Sequence, residues 1–413
     1  MIVNFSVKNY LVFKDKTELS FVADMRTSQF KSNTLPFADQ RILKTVGIYG
    51  PNNAGKTCLL RALFSCLAVT SGLSLADFNQ KLGWSPNWFS KQSVSSFEIS
   101  FIQGDRFYTY SFSFDFAKNV FSSENIVLHQ ADKSVCVLSF SPDHEPSSDM
   151  SKKACGFVKG LSHAAPALYS INTANETRLS AVLQDFRDFS NNVLWFLQEG
   201  RFDADVTLGL MKNGGSLAEK VKAFVKQADL SLSDFYYSES DGQPGMPNGK
   251  STARSGAFHS VYADKDVLSI TQDSRGTQKI EALAGYVITA LEQGSLLVLD
   301  ELDASLFYKL SRSIVGLFNN VANTKAQMLF TSHDLNLMDT RRLLRKDQLY
   351  FANRNKDDLG VSLIPLSHFT AKDFGVRSSD DIAEKYTHGQ LEDINLPQPE
   401  FVSILLDNKD NHD

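Results

Sequence analysis

The chain has 413 residues, of which 42% are hydrophobic and 22% charged, and its net charge is −5. These values suit a globular protein with a large core, in one domain with insertions or in two. They argue against a surface coated with basic groups for tight, non-specific DNA binding. No apolar run approaches the roughly 20 residues that cross a bilayer, so no membrane contact is expected. Met1-Ile2-Val3-Asn4-Phe5 has neither a basic stretch nor an apolar core, so no signal peptide is expected and the location is read as cytoplasmic. Cys58, Cys66, Cys136 and Cys155 form no C-x-x-C pair and read as small buried or half-buried side chains rather than disulfides or zinc ligands.

Val3, Phe5 and Val7 alternate with polar residues, as in a half-buried strand, and Thr17 to Val22 reads as its hairpin partner. Residues 23–43 read as loop. Thr45-Val46-Gly47-Ile48-Tyr49 is a short apolar run suited to a buried strand. Gly50-Pro51-Asn52-Asn53-Ala54-Gly55-Lys56-Thr57 follows and fits G-x-x-x-x-G-K-[ST]. A helix is expected next, to about Thr70. Strand, glycine turn and helix start aim backbone N–H groups and a helix dipole at phosphate oxygens. Lys56 is expected to reach the β- and γ-phosphates of a nucleoside triphosphate, and Thr57 to ligate Mg²⁺.

Phe97–Ile102 and Arg106–Phe116 read as a long hairpin around Gly104-Asp105. Its aromatic alternation (Phe107, Tyr108, Tyr110, Phe112, Phe114, Phe116) is read as sheet packing in preference to a base-stacking platform. Residues 141–156 read as loop. Leu179, Val182, Leu183, Phe186, Val193, Phe196 and Leu197 keep helical spacing, and a second helix is expected from Leu217 to Ala228. Ser238 to Ala257, rich in glycine, proline and serine, reads as a flexible loop: a trigger or partner contact, or a plain surface linker. No sustained heptads and no internal repeat are visible.

Ser295-Leu296-Leu297-Val298-Leu299-Asp300-Glu301 is an apolar strand ending in two acids. It would deliver Asp300 to Mg²⁺ and leave Glu301 to polarise the attacking water. Ala326–Phe330 is a further apolar strand, ending in Thr331-Ser332-His333. Between hairpin and acids, Ser274-Arg275-Gly276-Thr277-Gln278-Lys279 opens a helix bearing Ile280, Leu283, Val287, Ile288 and Leu291 on one face. Small polar residues there suit anion binding, and equally an N-cap and turn. Arg341-Arg342-Leu343-Leu344-Arg345-Lys346, the densest basic cluster, reads as a solvated helix face, with phosphate-backbone contact the lesser reading.

The order of phosphate loop, acidic strand and Thr-Ser-His strand resembles that of ABC-type ATPases. The resemblance implies that His333 contacts the γ-phosphate. Ser274-x-Gly276-Thr277-x-Lys279 is similar to a divergent ABC signature, which implies that Ser274 and Gly276 reach the γ-phosphate held by a second subunit. Leu302-Asp303-Ala304-Ser305-Leu306 resembles the D-loop region of SMC and RecF proteins, and Val7–Phe13 resembles their opening, with Leu11 where they usually carry arginine. For a Q-loop glutamine the sequence offers Gln103, in a hairpin turn. Asp347–Phe351 and Ile382–Gly389 resemble the tail of compact bacterial ABC ATPases of anti-phage abortive-infection systems, such as the PARIS, Septu and AbiL- or RloB-associated ATPases. Together these segments span roughly half the chain.

The expected fold is therefore α/β: an ABC-type ATPase head (P-loop NTPase) with an N-terminal antiparallel β subdomain and a helical insertion. The expected boundaries are 1–140, 141–265 and 266–413. The resemblance implies a homo-oligomer, a dimer or higher, completed through the nucleotide sites. It also implies a separate effector of nuclease or TOPRIM type and a phage protein or nucleic acid as trigger. An SMC/RecF-like DNA-repair ATPase is the alternative. An ATPase fused to its own nuclease is the third reading; Asp357-Asp358 and Asp380-Asp381 read as loop acids, which weighs against it.

Overall fold

In chain order, β1 (Ile2–Lys8) and β2 (Thr17–Ser20) begin an antiparallel sheet, and β3 (Thr34–Phe37) and β4 (Gln40–Leu43) form a separate hairpin. Then comes β5 (Thr45–Tyr49), and after it β6 (Val94–Gln103), β7 (Arg106–Asp115), β8 (Val120–His129), β9 (Ser134–Ser141) and β10 (His144–Ser147). The computed structural model describes residues 1–73, 85–161, 163–171, 177–197, 202–229, 231–239, 256–263, 265–372, 374–377 and 379–396. Most of the expected Ser238–Ala257 loop lies outside them.

The first sheet runs β10-β9-β8-β7-β6-β1-β2. Val7 faces Phe97 and Phe5 faces Ile99 across β1 and β6. Period-2 alternation drives one face inward: Phe5, Val7, Phe97, Ile99, Phe101, Tyr108, Tyr110, Phe112 and Phe114 are all buried. Phe101 stacks on Phe189 of the helix Thr177–Asn191 at 4.1 Å and Phe97 on Phe112 at 5.0 Å. The aromatic stripe is sheet core, not a base-stacking platform.

Glu124 of β8 is buried under this face. Tyr110 Oη donates to its Oε1 (2.6 Å) and the Ala167 N–H to its Oε2 (2.5 Å). Burial pushes its carboxyl from 4.5 up to about 7. The folded chain therefore binds a proton that the unfolded chain releases between pH 4.5 and 7. The stability from this proton is complete below pH 4.5 and is lost as pH rises through 7, roughly 3 kcal/mol in all. Glu281, also raised to about 7 by burial, titrates in the same window. Glu124→Gln should flatten the stability–pH profile by the Glu124 share, read by urea unfolding at pH 5 and pH 8. Equal slopes for both proteins would show that Glu124 ionises without cost.

The second sheet orders β11 (Val193–Phe196), β15 (Leu296–Leu299), β16 (Gln327–Thr331), β5, β17 (Leu349–Arg354) and β18 (Val361–Pro365). All its neighbours are parallel except β17 and β18. Every residue of β5, β15 and β16 is buried, as befits strands covered on both faces. Gly47 is needed in β5: a Cβ there would lie 2.6 Å from Phe330 Cζ. The third sheet is β12 (Asp234–Glu239), β13 (Gly256–Tyr262) and β14 (Lys265–Leu268).

Three expectations are corrected. Residues 23–43 hold β3 and β4, four residues each, turning at Ala38 with φ 50°; such short strands leave too little alternation to read. Residues 141–156 hold β10 and the start of the helix Lys152–Lys159, where Ser151 Oγ accepts the Ala154 N–H at 3.2 Å. The helical spacing from Leu179 breaks at Asn191, and Val193–Phe196 instead pairs with the acidic strand as β11. The helix Asp205–Asn213 carries no motif that singles it out; the helix expected from Leu217 is present as Gly215–Ala228.

Candidate nucleotide site

β16 lies between β15 and β5, so three parallel strands end side by side. Their carboxyl ends carry Asp300, Thr331 and the loop Gly50–Thr57, the edge at which open α/β sheets take ligands. The loop turns tightly. Asn53 is left-handed at φ 63° and Gly55 at φ 99°. A Cβ on Gly50 would sit 2.7 Å from Ala352 O, so only glycine lets the loop lie against β17. From β17, Arg354 Nε donates to Asn53 O at 2.8 Å and fixes the loop's crest.

The helix Lys56–Thr70 starts at Gly55, and its first N–H groups have no intrahelical acceptor. Lys56 is buried, and its Nζ donates to Gly50 O (2.9 Å) and Pro51 O (3.1 Å). Burial lowers its pKa, while Asp300, Glu301 and Asp303 oppose that shift. Thr57 Oγ1 donates to Asp300 Oδ2 at 3.0 Å, which joins the loop to the acidic strand across 243 residues of sequence.

Thr331 does the second joining. Its hydroxyl donates to Asp300 Oδ1 at 2.5 Å and accepts the Glu301 N–H at 2.8 Å. Glu301 stands in the left-handed region at φ 50°, a conformation that a non-glycine residue holds only when its surroundings fix it. The His333 N–H donates to Asp303 Oδ1 at 3.1 Å. Loss of hydration, and then the nearby Lys56 ammonium, pull the His333 pKa below its ordinary value. The ring is therefore biased toward the neutral form, with a nitrogen free to accept or donate.

Of the residues singled out in the sequence, Gly50, Pro51, Asn52, Asn53, Ala54, Gly55, Lys56, Thr57, Asp300, Glu301 and His333 come together at this strand edge. Ser274 and Gly276 do not join it by any hydrogen bond among the described residues. Ser274 caps the helix Arg275–Gln293, its Oγ accepting the Thr277 N–H at 3.2 Å. Gly276 lies against the segment after the acids: a Cβ would be 2.7 Å from Ser305 O. Gln103 pairs with Arg106 at the β6–β7 turn. The basic cluster is not a helix face. Arg345 is buried, bonds Asp347 at 2.8 and 2.7 Å and donates to Asp24 O, Thr27 O and Gln29 O, so it holds the chain's early loop in place.

Residues 46–339 match the model of the family described as "AAA domain, putative AbiEii toxin, Type IV TA system". The chain belongs to this AAA family. The match runs from the phosphate-loop strand past His333, so it takes in both halves of the site. No curated protein matches the chain. Among solved structures, an Smc head bound to the C-winged helix domain of ScpA is 12% identical, covering 89% of this chain and 99% of its own, at a TM-score of 0.48. An SMC head domain from Thermotoga maritima is 11% identical over 88% and 98%, at 0.43. An Smc head with an extended coiled coil, bound to the C-terminal domain of ScpA derived from Pyrococcus furiosus, is 12% identical over 89% and 97%, at 0.43. This AAA family member has a mixed α/β architecture of several sheets, with the phosphate loop at the end of a central strand of the mostly parallel one. None of its described helices is long and apolar enough to cross a membrane.

Proposed function

We propose that this chain binds and hydrolyses ATP with Mg²⁺ and uses the cycle to control a toxic effector in anti-phage defence. The observation that carries the ATPase reading is the Thr57–Asp300 bond, which closes the phosphate loop onto the acidic strand. Two hard oxygen donors there fit Mg²⁺; Thr57 and Asp300 would hold the ion, which when bound neutralises phosphate charge. The loop N–H groups and Lys56 bind and orient the triphosphate, and neutral His333 hydrogen-bonds its end. Glu301 takes the proton of the attacking water.

The defence reading is supported by the family description, which names a toxin and a toxin–antitoxin system. The likeness of the tail to abortive-infection ATPases of the PARIS and Septu kind supports it too. In this reading Ser274 and Gly276 complete the site of a second copy, and the effector is a separate nuclease or TOPRIM-type protein. The test is phage plaquing on cells carrying the gene with its native neighbours. Protection should disappear with Lys56→Ala and with Glu301→Gln while the proteins remain folded. Protection that survives both, or that needs no second gene, would reject the model.

A further inference from the structure

The helix Arg275–Gln293 buries a lysine to which no acid is bonded among the described residues. Lys279 is 0% exposed. Its Nζ donates to Glu301 O at 2.6 Å, Ala304 O at 2.9 Å and Leu302 O at 3.2 Å. Three carbonyls from one turn thus use all three protons of the ammonium. The Phe202 ring lies 6.0 Å from Nζ, on the cation's flank. The turn so gripped begins at left-handed Glu301 and ends at left-handed Ser305, φ 50° and φ 63°. Burial draws the Lys279 pKa down to about 8, with the charges of Asp303, Glu301 and Asp300 resisting. An isolated buried ammonium is costly, so the carbonyl cluster and the lysine hold one another in a single arrangement.

The same helix meets the turn a second time. At its first turn, Gly276 lets the backbone approach Ser305 O. At its other flank, Glu281 accepts hydrogen bonds from Ser260 Oγ of β13 (2.6 Å) and from Ser269 Oγ. Helix start, acidic turn and third sheet are therefore one connected body.

We propose that Lys279 is a positioning residue for ATP hydrolysis: a carbonyl clamp that holds Glu301–Ala304 in the turn that aims the Glu301 carboxylate, and ties that turn to the helix beginning at Ser274. The inference rests on the ATPase reading given above. It makes the orientation of Glu301 depend on where the Ser274 end of the helix sits. A partner that moves that end would alter turnover without touching the phosphate loop, which contacts the turn from the other side through Thr331 and Asp300.

The experiment uses the full chain with Lys279→Met, which keeps length without charge, and Lys279→Arg. Three quantities are measured: binding of a fluorescent ATP analogue, steady-state kcat and KM, and amide hydrogen exchange resolved over residues 301–306 and 50–57. In Lys279→Met, kcat should fall about 10- to 100-fold, the scale of a misplaced catalytic group. Analogue affinity should stay within about threefold, because the group acts on chemistry and not on ground-state binding. Exchange should accelerate at 301–306 and not at 50–57. Lys279→Arg should fall between parent and Met. Unchanged kcat in Lys279→Met, or equal loss of kcat and affinity with exchange raised in both segments, overturns the proposal. Should the Met variant fail to fold, the Arg variant decides alone: reduced kcat at unchanged affinity supports the clamp, and parental kcat overturns it. A parent chain without any turnover would instead sink the ATPase reading, and the exchange pattern would still report whether Lys279 holds the turn.

Discussion

Lys56→Ala is expected to lose ATP binding. The substitution removes a buried ammonium whose present partners, Gly50 O and Pro51 O, belong to the loop that would surround the phosphates. Truncating one side of a buried charge pair costs about 2–5 kcal/mol, so the affinity for a fluorescent ATP analogue should drop by about 30-fold at least. The fold should hold, since the lost contacts are two hydrogen bonds at a loop and the helix behind it is anchored by Leu59, Leu60 and Leu63 in the core. An affinity within about threefold of the parent would remove Lys56 from the site. The variant also tests whether sites are shared. Mixed with Ser274→Arg chains, themselves inactive, it should regain part of the ATPase activity, because one site in a mixed dimer would combine an intact Lys56 with an intact Ser274. No recovery in verified mixed oligomers would leave Ser274 as the helix cap that its bond to Thr277 already makes it.

Glu301→Gln should do the opposite: bind ATP as the parent does and scarcely turn it over. The backbone of this residue is fixed independently of its side chain, by the Thr331 hydroxyl on its N–H and the Lys279 ammonium on its carbonyl. Glutamine is isosteric and should sit in the same place without being able to accept the water's proton. General-base catalysis is worth about 10²–10⁴-fold, so single-turnover hydrolysis should slow by that range at unchanged analogue affinity. Parental rates would assign the base to another residue.

The elements that the sequence reveals are those with local grammar. The phosphate loop, the acidic strand and the Thr-Ser-His strand each declare themselves within ten residues, because an apolar run must end where a polar group is presented. Thr331 and Lys279 did not declare a role. A threonine closing a buried strand looks alike whether it caps nothing or bridges Asp300 and Glu301. A lysine at the fifth position of an amphipathic helix looks like a solvated one, and its three acceptors are backbone atoms that no side chain announces. Val193–Phe196 kept helical spacing with the preceding helix, yet only its place beside Leu296–Leu299 makes it a strand. Short strands such as Thr34–Phe37 are decided by partners and not by their own four residues.

The central position of β5 has a consequence for the newborn chain. Thr45 pairs with Met328 and Ile48 with Tyr350, so both neighbours of the phosphate-loop strand are encoded far downstream. At about 5–20 residues per second, roughly a quarter of a minute to a minute separates the emergence of β5 from that of β16. Through that interval the meander of β6 to β10 can close on near neighbours, while Val46, Ile48 and Tyr49 have no sheet to enter. Translation stopped before residue 327 thus yields a polypeptide with its glycine loop spelled out and no pocket. The edge that carries the phosphate loop is completed only late in synthesis, when the last of its flanking strands has emerged.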